Sequence, residues 1–346
     1  MAQQLSERAR QVLAGVISNY VTTAEPVGSR TISKMDGFAI SPATIRNVMA
    51  DLEEAGLLHQ PHASAGRVPT VEGLRFYVEK VLEVRELDEQ AKTLLRQTVE
   101  DPGAREVSDL LKAVSRRLSA VSQQVAVVAA PRLDHGRFRR MEFVLLKPGL
   151  ALVVLVADGG VVQNRVIEVD QELRQEDLDK YTRYLNDLLR DLNLFEVKQR
   201  LAQEMAREKA RFDVLTRKAL KLGQIAVDQG PDGDVYVVGQ SNLLGLPEFA
   251  DLQRLRLVFQ AFEEKSTLLR LLEKSQAAQG VQIFIGSESE VADLDDITAV
   301  VAAYGGDNRS LGALGVIGPT RMDYSKVIPV VDYTAKLVSA MLNERA

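Results

Sequence analysis

One short stretch of the sequence, residues 41–57, combines side chains that can read DNA with the signals of a helix that would carry them. Arg46 and Asn47 follow Thr44 in this stretch. Arginine pairs bidentately with guanine and asparagine with adenine in the major groove, so these residue types indicate base recognition. The acidic residues come only after them, at the other end of the stretch, where their charge would stay away from the DNA phosphates.

The flanking residues of this stretch mark both ends of the helix. Ser41 can cap a free backbone N–H of the first turn, and Pro42 suits the first helical position. Gly56 can close the last turn in a left-handed conformation. Apolar residues recur at the spacing of one helical face, at Ile45, Val48, Met49 and Leu52. With that face buried, the polar residues of the first turns would face outward.

The preceding residues predict the other helices of a helix-turn-helix. Ser6 can cap an amphipathic helix, and a second, short helix opens at Gly28-Ser29. Residues 37–40 would form the turn, with Phe38 and Ile40 reaching into the core. The helix that starts after Ser41 would then be the recognition helix.

The following residues predict a hairpin, which would be the wing of a winged helix. Two short strands, residues 57–60 and 67–69, flank a tip that contains proline and glycine. Arg67 and His62 lie where a wing would meet phosphates or a minor groove.

The predicted DNA-binding segment is electrically neutral. Residues 1–80 contain eight Lys/Arg and eight Asp/Glu, and the whole chain has a formal net charge of −5. A protein that binds DNA without sequence preference depends on phosphate neutralisation and is more basic than this. We therefore expect recognition by base contacts and a few placed cations, with two copies needed for useful affinity.

Several sequence blocks resemble the heat-inducible transcription repressor HrcA family. The resemblance is dense over roughly residues 5–82 and looser, in the order of elements, up to the C-terminus. Its blocks are 41–47, 49–53, 64–67 with Pro69-Thr70, and 73–78. Val48, Ala63 and Leu74 depart from the family pattern, in which Glu, Thr and Tyr are expected at these positions. Val48 belongs to the buried stripe, whereas Ala63 removes one possible hydroxyl contact of the wing.

The resemblance implies a cytoplasmic, dimeric, operator-specific repressor without catalytic activity. Its operators would be inverted repeats in double-stranded DNA upstream of chaperone operons, and its protein partner would be the GroEL chaperonin. The candidate DNA-binding residues from the helices and the wing are Ser29, Arg30, Ser41, Thr44, Arg46, Asn47, His62, Ser64 and Arg67.

The rest of the chain predicts an α+β fold with several domains. Strands at 138–146, 150–157 and 161–169, joined by tight turns, form an antiparallel meander that helices follow. The elements on either side of this segment have the order of a GAF domain, an antiparallel sheet with helices packed on it. The predicted domains are a winged-helix DNA-binding domain at 1–82, a linker helix at 83–103, a discontinuous GAF-like domain at 104–136 and 231–346, and an inserted dimerisation domain at 137–230.

Other kinds of site find little support in the sequence. The chain has no cysteine, which excludes disulfides, thiolate metal sites and a cysteine nucleophile. His59 and His62 are near in sequence but are more readily explained as solvent-facing wing residues than as metal ligands. Gly312, Gly315 and Gly318 do not have the spacing of a dinucleotide-binding loop and indicate close packing in or beside a strand. We expect no metal and no cofactor.

The sequence leaves two other function classes to weigh. One is a ligand-responsive regulator whose GAF-like domain binds a metabolite, and a thermal-shift screen would test it. The other is an enzyme fused to a winged helix, which lacks a recognisable nucleophile, metal cluster or cofactor loop. We expect no membrane association, because the longest apolar run, 150–157, is far shorter than the ~20 residues that span a bilayer. The N-terminal residues also lack the apolar core of a signal peptide.

Overall fold

The computed structural model describes residues 5–36, 38, 40–83, 86–97, 107–131, 137–157, 161–208, 214–228, 235–276, 280–289, 296–306 and 309–344. Within these ranges the chain is a mixed α+β protein with three antiparallel sheets. None of the helices in these ranges combines the length and the apolar character needed to cross a lipid bilayer.

The N-terminal unit contains the predicted helices and the predicted hairpin. Its elements are α1 (Glu7–Thr23), α2 (Ser29–Ile32), α3 (Pro42–Glu54), β1 (Leu58–His59), β2 (Val68–Pro69) and α4 (Val71–Lys80). Ser6 caps α1 as expected, since its Oγ accepts a hydrogen bond from the Ala9 amide at 3.2 Å. Phe38 and Ile40 pack against the core, also as expected. Helix α4 ends at Lys80.

A five-stranded antiparallel sheet with helices on both faces forms the sheet body. Its elements are α6 (Val107–Ser122), β3 (Val125–Ala129), β7 (Val235–Val238), α10 (Leu252–Glu263), α11 (Lys265–Gln276), β8 (Val281–Ile285), β9 (Ile297–Gly306), β10 (Arg309–Pro319) and α12 (Tyr324–Glu344). The strand order is β7-β3-β10-β9-β8. Alternate residues of β3 face opposite sides of the sheet. Ala126 and Val128 pack toward α6 and α12, whereas Val125 and Val127 pack toward α10 and α11. Glu264 separates α10 from α11.

The segment predicted as a linker helix contains one described helix, which packs on the sheet body. Its described helix, α5 (Glu89–Arg96), begins after Asp88, whose carboxylate accepts a hydrogen bond from the Ala91 amide at 2.7 Å. Ala91 and Leu95 are buried, and the helix contacts α6 and α12. We conclude that α5 is anchored on the sheet body. The predicted break at Pro102-Gly103 lies outside the described residues.

The three glycines near the end of the chain are required by close packing in the sheet, as expected. A methyl group on Gly312 would collide with the Tyr304 ring and hydroxyl, and one on Gly315 with the backbone of Val300 and Val301. Gly315 therefore lets β10 approach β9 closely at the centre of the sheet.

The inserted unit leaves the sheet body after β3 and returns before β7. It contains β4 (Phe138–Lys147), β5 (Leu150–Ala157), β6 (Val161–Glu168), α7 (Gln175–Leu189), α8 (Leu194–Glu208) and α9 (Val214–Asp228). The strands form the predicted antiparallel meander in the order β4-β5-β6. The unit has a core of its own, in which the strands pack against the helices.

One face of the three-stranded sheet is open. Along β5, alternate residues such as Val153 and Leu155 are buried against the helices, while their neighbours face the other way and are only half-buried. The flanking strands expose large apolar side chains: Val144 (39% exposed), Leu146 (51%), Val162 (55%) and Val166 (54%). We call the surface formed by these four residues the open sheet face.

Candidate nucleic-acid interface

Helix α3, the predicted recognition helix, is capped and anchored as the sequence predicts. The Ser41 Oγ accepts a hydrogen bond from the Thr44 amide at 3.2 Å, and the two hydroxyls lie 3.0 Å apart. Gly56 follows the helix with φ of +75°, a left-handed conformation that glycine adopts readily. The apolar face is in the core, with Ile45 and Leu52 almost completely buried. These contacts fix the direction in which the polar face points.

Arg46 and Asn47 lie exposed on the polar face of α3. Within the described residues, neither side chain forms a hydrogen bond or an ion pair. Exposed Asp51 and Glu54 lie further along the helix. The first turns of α3 therefore present one free cation and one free amide, the two groups best suited to bidentate contacts with base edges.

The short helix α2 contains two of the predicted DNA-binding residues, and they differ in exposure. Arg30 is exposed, but Ser29 is only 8% exposed. The packing of α2 against the core thus covers most of Ser29, and a DNA contact by its hydroxyl stays a prediction. Only Arg30 of the two faces outward.

A glutamine that sequence reasoning missed shapes the tip of the hairpin. The Gln60 Nε2 donates to the carbonyl oxygens of Ala63 and Ala65, both at 2.9 Å. These bonds fold the tip so that His62 and Ser64 are exposed. An amide residue at the point where a strand enters a polar tip could have signalled this role, since its two donors can replace backbone partners.

Arg67, which the sequence places where a wing would meet phosphates or a minor groove, joins the hairpin to α3. Its Nε donates to the Glu53 Oε2 at 2.8 Å, and only 19% of the side chain is exposed. Its backbone amide and carbonyl also pair with Val27, each at 2.9 Å. Arg67 thereby neutralises an acidic group of α3, at a position 14 residues away in sequence that no local pattern reveals.

Two glycines hold the hairpin against its neighbours. A methyl group on Gly66 would collide with the backbone of Val27, and one on Gly73 with the Leu57 carbonyl. Thr70 adds a bridge, because its hydroxyl donates to the Gly56 carbonyl at 2.6 Å and accepts from the Gly73 amide at 3.0 Å. Helix α4 therefore starts in contact with the end of α3.

Gly73→Ala should loosen this junction. The added methyl group cannot fit beside the Leu57 carbonyl, so α4 must move, at a cost of about 1–3 kcal/mol for such overpacking. Hydrogen exchange of residues 57–80 should become faster. Gly28→Ala is the matched control, because φ at Gly28 is −88° and the nearest atom to its added methyl group would be the Thr31 Oγ1 at 3.9 Å. Unchanged exchange in Gly73→Ala would contradict the close packing.

Metal and ligand sites are not evident in the described part of the chain. No group of three or more His, Asp or Glu side chains there could hold a metal ion, and His59 and His62 are exposed. An open cleft of about 430 Å³ lies between α1 and the sheet body, and Arg321 and Asn242 line it. Both polar groups are already paired within the protein. Ligand sensing by the sheet body stays a hypothesis.

Comparison with known proteins gives one consistent result along the whole chain. The family model of the HrcA protein C-terminal domain matches residues 108–328. The heat-inducible transcription repressors HrcA of Syntrophobacter fumaroxidans and Geobacter sulfurreducens are each 47% identical, with 98% of both chains covered. That of Sorangium cellulosum is 41% identical over 96% of both chains. A crystal structure described only as that of a hypothetical protein has the same fold, with a TM-score of 0.61 at 21% identity over 99% of this chain and 100% of its own.

Proposed function

The chain belongs to the HrcA family of heat-inducible transcription repressors, and we propose that it represses chaperone operons by binding an inverted-repeat operator in double-stranded DNA. Its relatives are transcription repressors and not enzymes, and the chain is likewise no enzyme. One observation supports DNA binding most directly. Arg46 and Asn47 are exposed on an anchored helix, and neither side chain has a hydrogen-bond or ion-pair partner among the described residues.

The N-terminal unit acts as a winged helix-turn-helix in this proposal. Helix α3 enters the major groove with its N-terminal turns first, so that Arg46 and Asn47 meet base edges. Ser41, Thr44 and Arg30 lie beside them and position the helix on the backbone. The hairpin tip with His62 and Ser64 follows the adjacent phosphates or minor groove.

The direct test is a band-shift assay with DNA fragments from upstream of chaperone operons. The protein should bind a fragment that contains an inverted repeat much more tightly than a fragment in which the repeat is scrambled. Equal binding to both fragments at physiological salt would overturn operator recognition.

Two copies of the chain bind one operator in this proposal. The N-terminal unit has no excess of positive charge, so one copy alone gains little from phosphate attraction. A two-fold dimer presents two recognition helices to the two halves of an inverted repeat, and tethering multiplies their modest affinities.

The inserted unit supplies the dimer contact, and we place it on the open sheet face. Among the described side chains, the exposed large apolar residues of this unit lie on β4 and β6, and none lies on α7, α8 or α9. An apolar face is complementary to itself, as a two-fold interface requires.

The sheet body acts as a GAF-like domain that carries the two other units. It is formed by residues 104–136 and 231–346 in this proposal, with the inserted dimerisation domain at 137–230 and the DNA-binding domain at 1–82. Support comes from the separate core of the inserted unit and from the direct pairing of β3 with β7.

The GroEL chaperonin assists folding in this proposal, as a cytoplasmic partner that controls the amount of active repressor. In the sheet body, β3 pairs with β7 on one side and with β10 on the other, and both partners follow the whole inserted unit in the sequence. Such non-local pairing slows folding and leaves apolar strands exposed meanwhile. Heat shock would divert the chaperonin to other unfolded proteins, so that active repressor falls and chaperone genes are released.

Chaperonin with ATP should therefore increase operator binding by repressor that has been unfolded and diluted into buffer. An excess of an unrelated unfolded protein should cancel the increase, because both compete for the same chaperonin. Band-shift titration of the refolded repressor measures the active fraction, and never-unfolded repressor is the control. Full recovery without chaperonin would contradict this mechanism while leaving operator binding intact.

A further inference from the structure

The N-terminal unit is packed onto the sheet body along a seam. Helix α4 contacts β8, and apolar residues of both units belong to one continuous core. Burial raises the pKa of the Tyr77 phenol in α4, and the Asp323 carboxylate of the sheet body raises it further. In α1, burial raises the pKa of the Tyr20 phenol, and the Glu248 carboxylate raises it further. The seam therefore places polar groups of the two units close together.

Arg321 of the sheet body forms a hydrogen bond to the end of α1. Its guanidinium pairs with both carboxylate oxygens of Glu248, with Nη2 3.2 Å from Oε2, and Nη1 donates to the Val21 carbonyl at 3.0 Å. The side chains of Arg321 and Glu248 are only 13% and 14% exposed. Val21 lies in the last turn of α1, where carbonyl groups lack helical partners and attract a cation. Glu248 thus holds the guanidinium in a position to cap the helix.

Arg75 makes a reciprocal contact from the N-terminal unit to the sheet body. Its Nη2 donates to the Ile283 carbonyl of β8 at 2.9 Å and pairs with the Glu288 carboxylate. The same carboxylate accepts a hydrogen bond from the Ile285 amide at 3.0 Å. Arg75 therefore binds a group that is itself fixed to the strand.

These two arginines attach the N-terminal unit at two separate points, the end of α1 and the middle of α4. One attachment would permit rotation about it, whereas two attachments and an apolar seam fix the orientation of the unit. Neither arginine belongs to α3 or to the hairpin. The orientation of the recognition helix relative to the sheet body thus depends on residues outside the DNA-reading surface.

We propose that Arg321 and Arg75 are positioning residues for operator recognition, which lock the DNA-binding unit onto the sheet body and so set the half-site spacing that the dimer accepts. This proposal rests on the proposed function, because spacing has meaning only for a dimer on an inverted repeat. A dimer whose recognition helices are held at a fixed separation can engage both half-sites only when they lie at a matching distance. A dimer with loosened units loses that discrimination but keeps each half-site contact.

The lock can be tested first without DNA. Because the chain has no cysteine, two introduced cysteines at exposed Gln11 on α1 and Gln260 on α10 are unique sites for spin labels. Labelled chains diluted with unlabelled chains report the distance within one chain. The parent should give one narrow distance, and the double variant Arg321→Gln/Arg75→Gln a broad distribution. An equally narrow distribution in the double variant would overturn the lock.

Matched variants distinguish loss of the Arg321 and Arg75 contacts from general loss of structure. Arg254→Gln removes an ion pair within the sheet body, in which Arg254 Nη1 lies 2.6 Å from Asp296 Oδ2 and the arginine side chain is 52% exposed. It should leave the distance between the spin labels unchanged. Circular dichroism checks that the double variant is folded. If it is not, Glu288→Gln is the milder test, since its side chain is 43% exposed, it removes the charge that pairs with Arg75, and its amide oxygen can still accept from the Ile285 amide. Glu288→Gln should broaden the distribution, and a narrow one would overturn the proposal.

Operator binding then tests the consequence for spacing. A series of operators with half-sites moved apart by single base pairs should give the parent a preference of about tenfold or more for one spacing, falling to within about twofold in the double variant. Binding to an isolated half-site should stay the same in both proteins. A retained spacing preference in the double variant would overturn the proposal. If the parent binds no operator at all, the proposed function fails, while the distance measurement still decides whether the lock exists.

Discussion

Arg46→Ala should lower the affinity of the dimer for its operator by about 30-fold or more. Loss of one bidentate contact to guanine costs roughly 1–3 kcal/mol, and an inverted repeat contains two such contacts, so the total is about 2–6 kcal/mol. The loss should be confined to one base position in each half-site. At that position the variant should bind all four bases with nearly equal affinity.

Band-shift titrations with the operator and with single-base variants of it measure both effects. The thermal unfolding of Arg46→Ala should match that of the parent, because the arginine is exposed and has no partner among the described residues. Arg30→Ala is the control for general loss of charge and should weaken binding to every sequence by a similar factor. A folded Arg46→Ala that binds the operator as tightly as the parent would show that α3 has been assigned the wrong role.

Arg67→Ala provides a contrast within the same assay. It should weaken binding to all sequences alike, because it detaches the hairpin from α3 and leaves the Glu53 carboxylate without its partner. It should not relax the preference at any single base position.

Removal of the dimer contact should lower operator affinity even more, by about 10²–10⁴-fold, because the two half-sites then bind independently. Excision of residues 137–230 with a short Gly/Ser bridge should leave a monomer that binds an isolated half-site normally. Val162→Glu/Val166→Glu should have the same effect without a deletion, since the two side chains are 55% and 54% exposed on the open sheet face.

Light scattering gives the oligomeric state, and half-site titrations show whether the DNA-binding unit is intact. Leu252→Glu/Leu257→Glu is the matched control, because it introduces the same two charges at exposed positions, 79% and 47%, on the sheet body. A dimer that persists in Val162→Glu/Val166→Glu but not after excision would move the interface to another face of the inserted unit. A dimer that survives excision would place it elsewhere in the chain.

The recognition helix could be predicted from the sequence because its signals are local. The cap at Ser41, the proline after it and the left-handed Gly56 each act within one turn of the helix. The role of Arg67 could not be predicted in the same way. Its partner Glu53 lies 14 residues away, and only the fold of the hairpin brings the two side chains together. The burial of Ser29 likewise depends on how α2 packs.

The open sheet face shows a second limit of sequence reasoning. Residues 150–157 are apolar almost without interruption, which indicates a strand but not which of its two faces is buried. The choice is made by the helices that cover one face, and their placement is a property of the tertiary structure. The sequence therefore predicts the strand but not the open sheet face.

The pairing of Ala129 with Val235 makes the inserted unit, as far as the sheet is concerned, the loop of a single β-hairpin. The entropy of closing a loop grows only with the logarithm of its length, so a loop of about 100 residues costs roughly 2 kcal/mol more to close than one of about 10. The inserted unit can therefore change in length or in surface with little penalty to the sheet. In the proposed dimer, such a change would alter self-association without changing the helices that are proposed to read DNA.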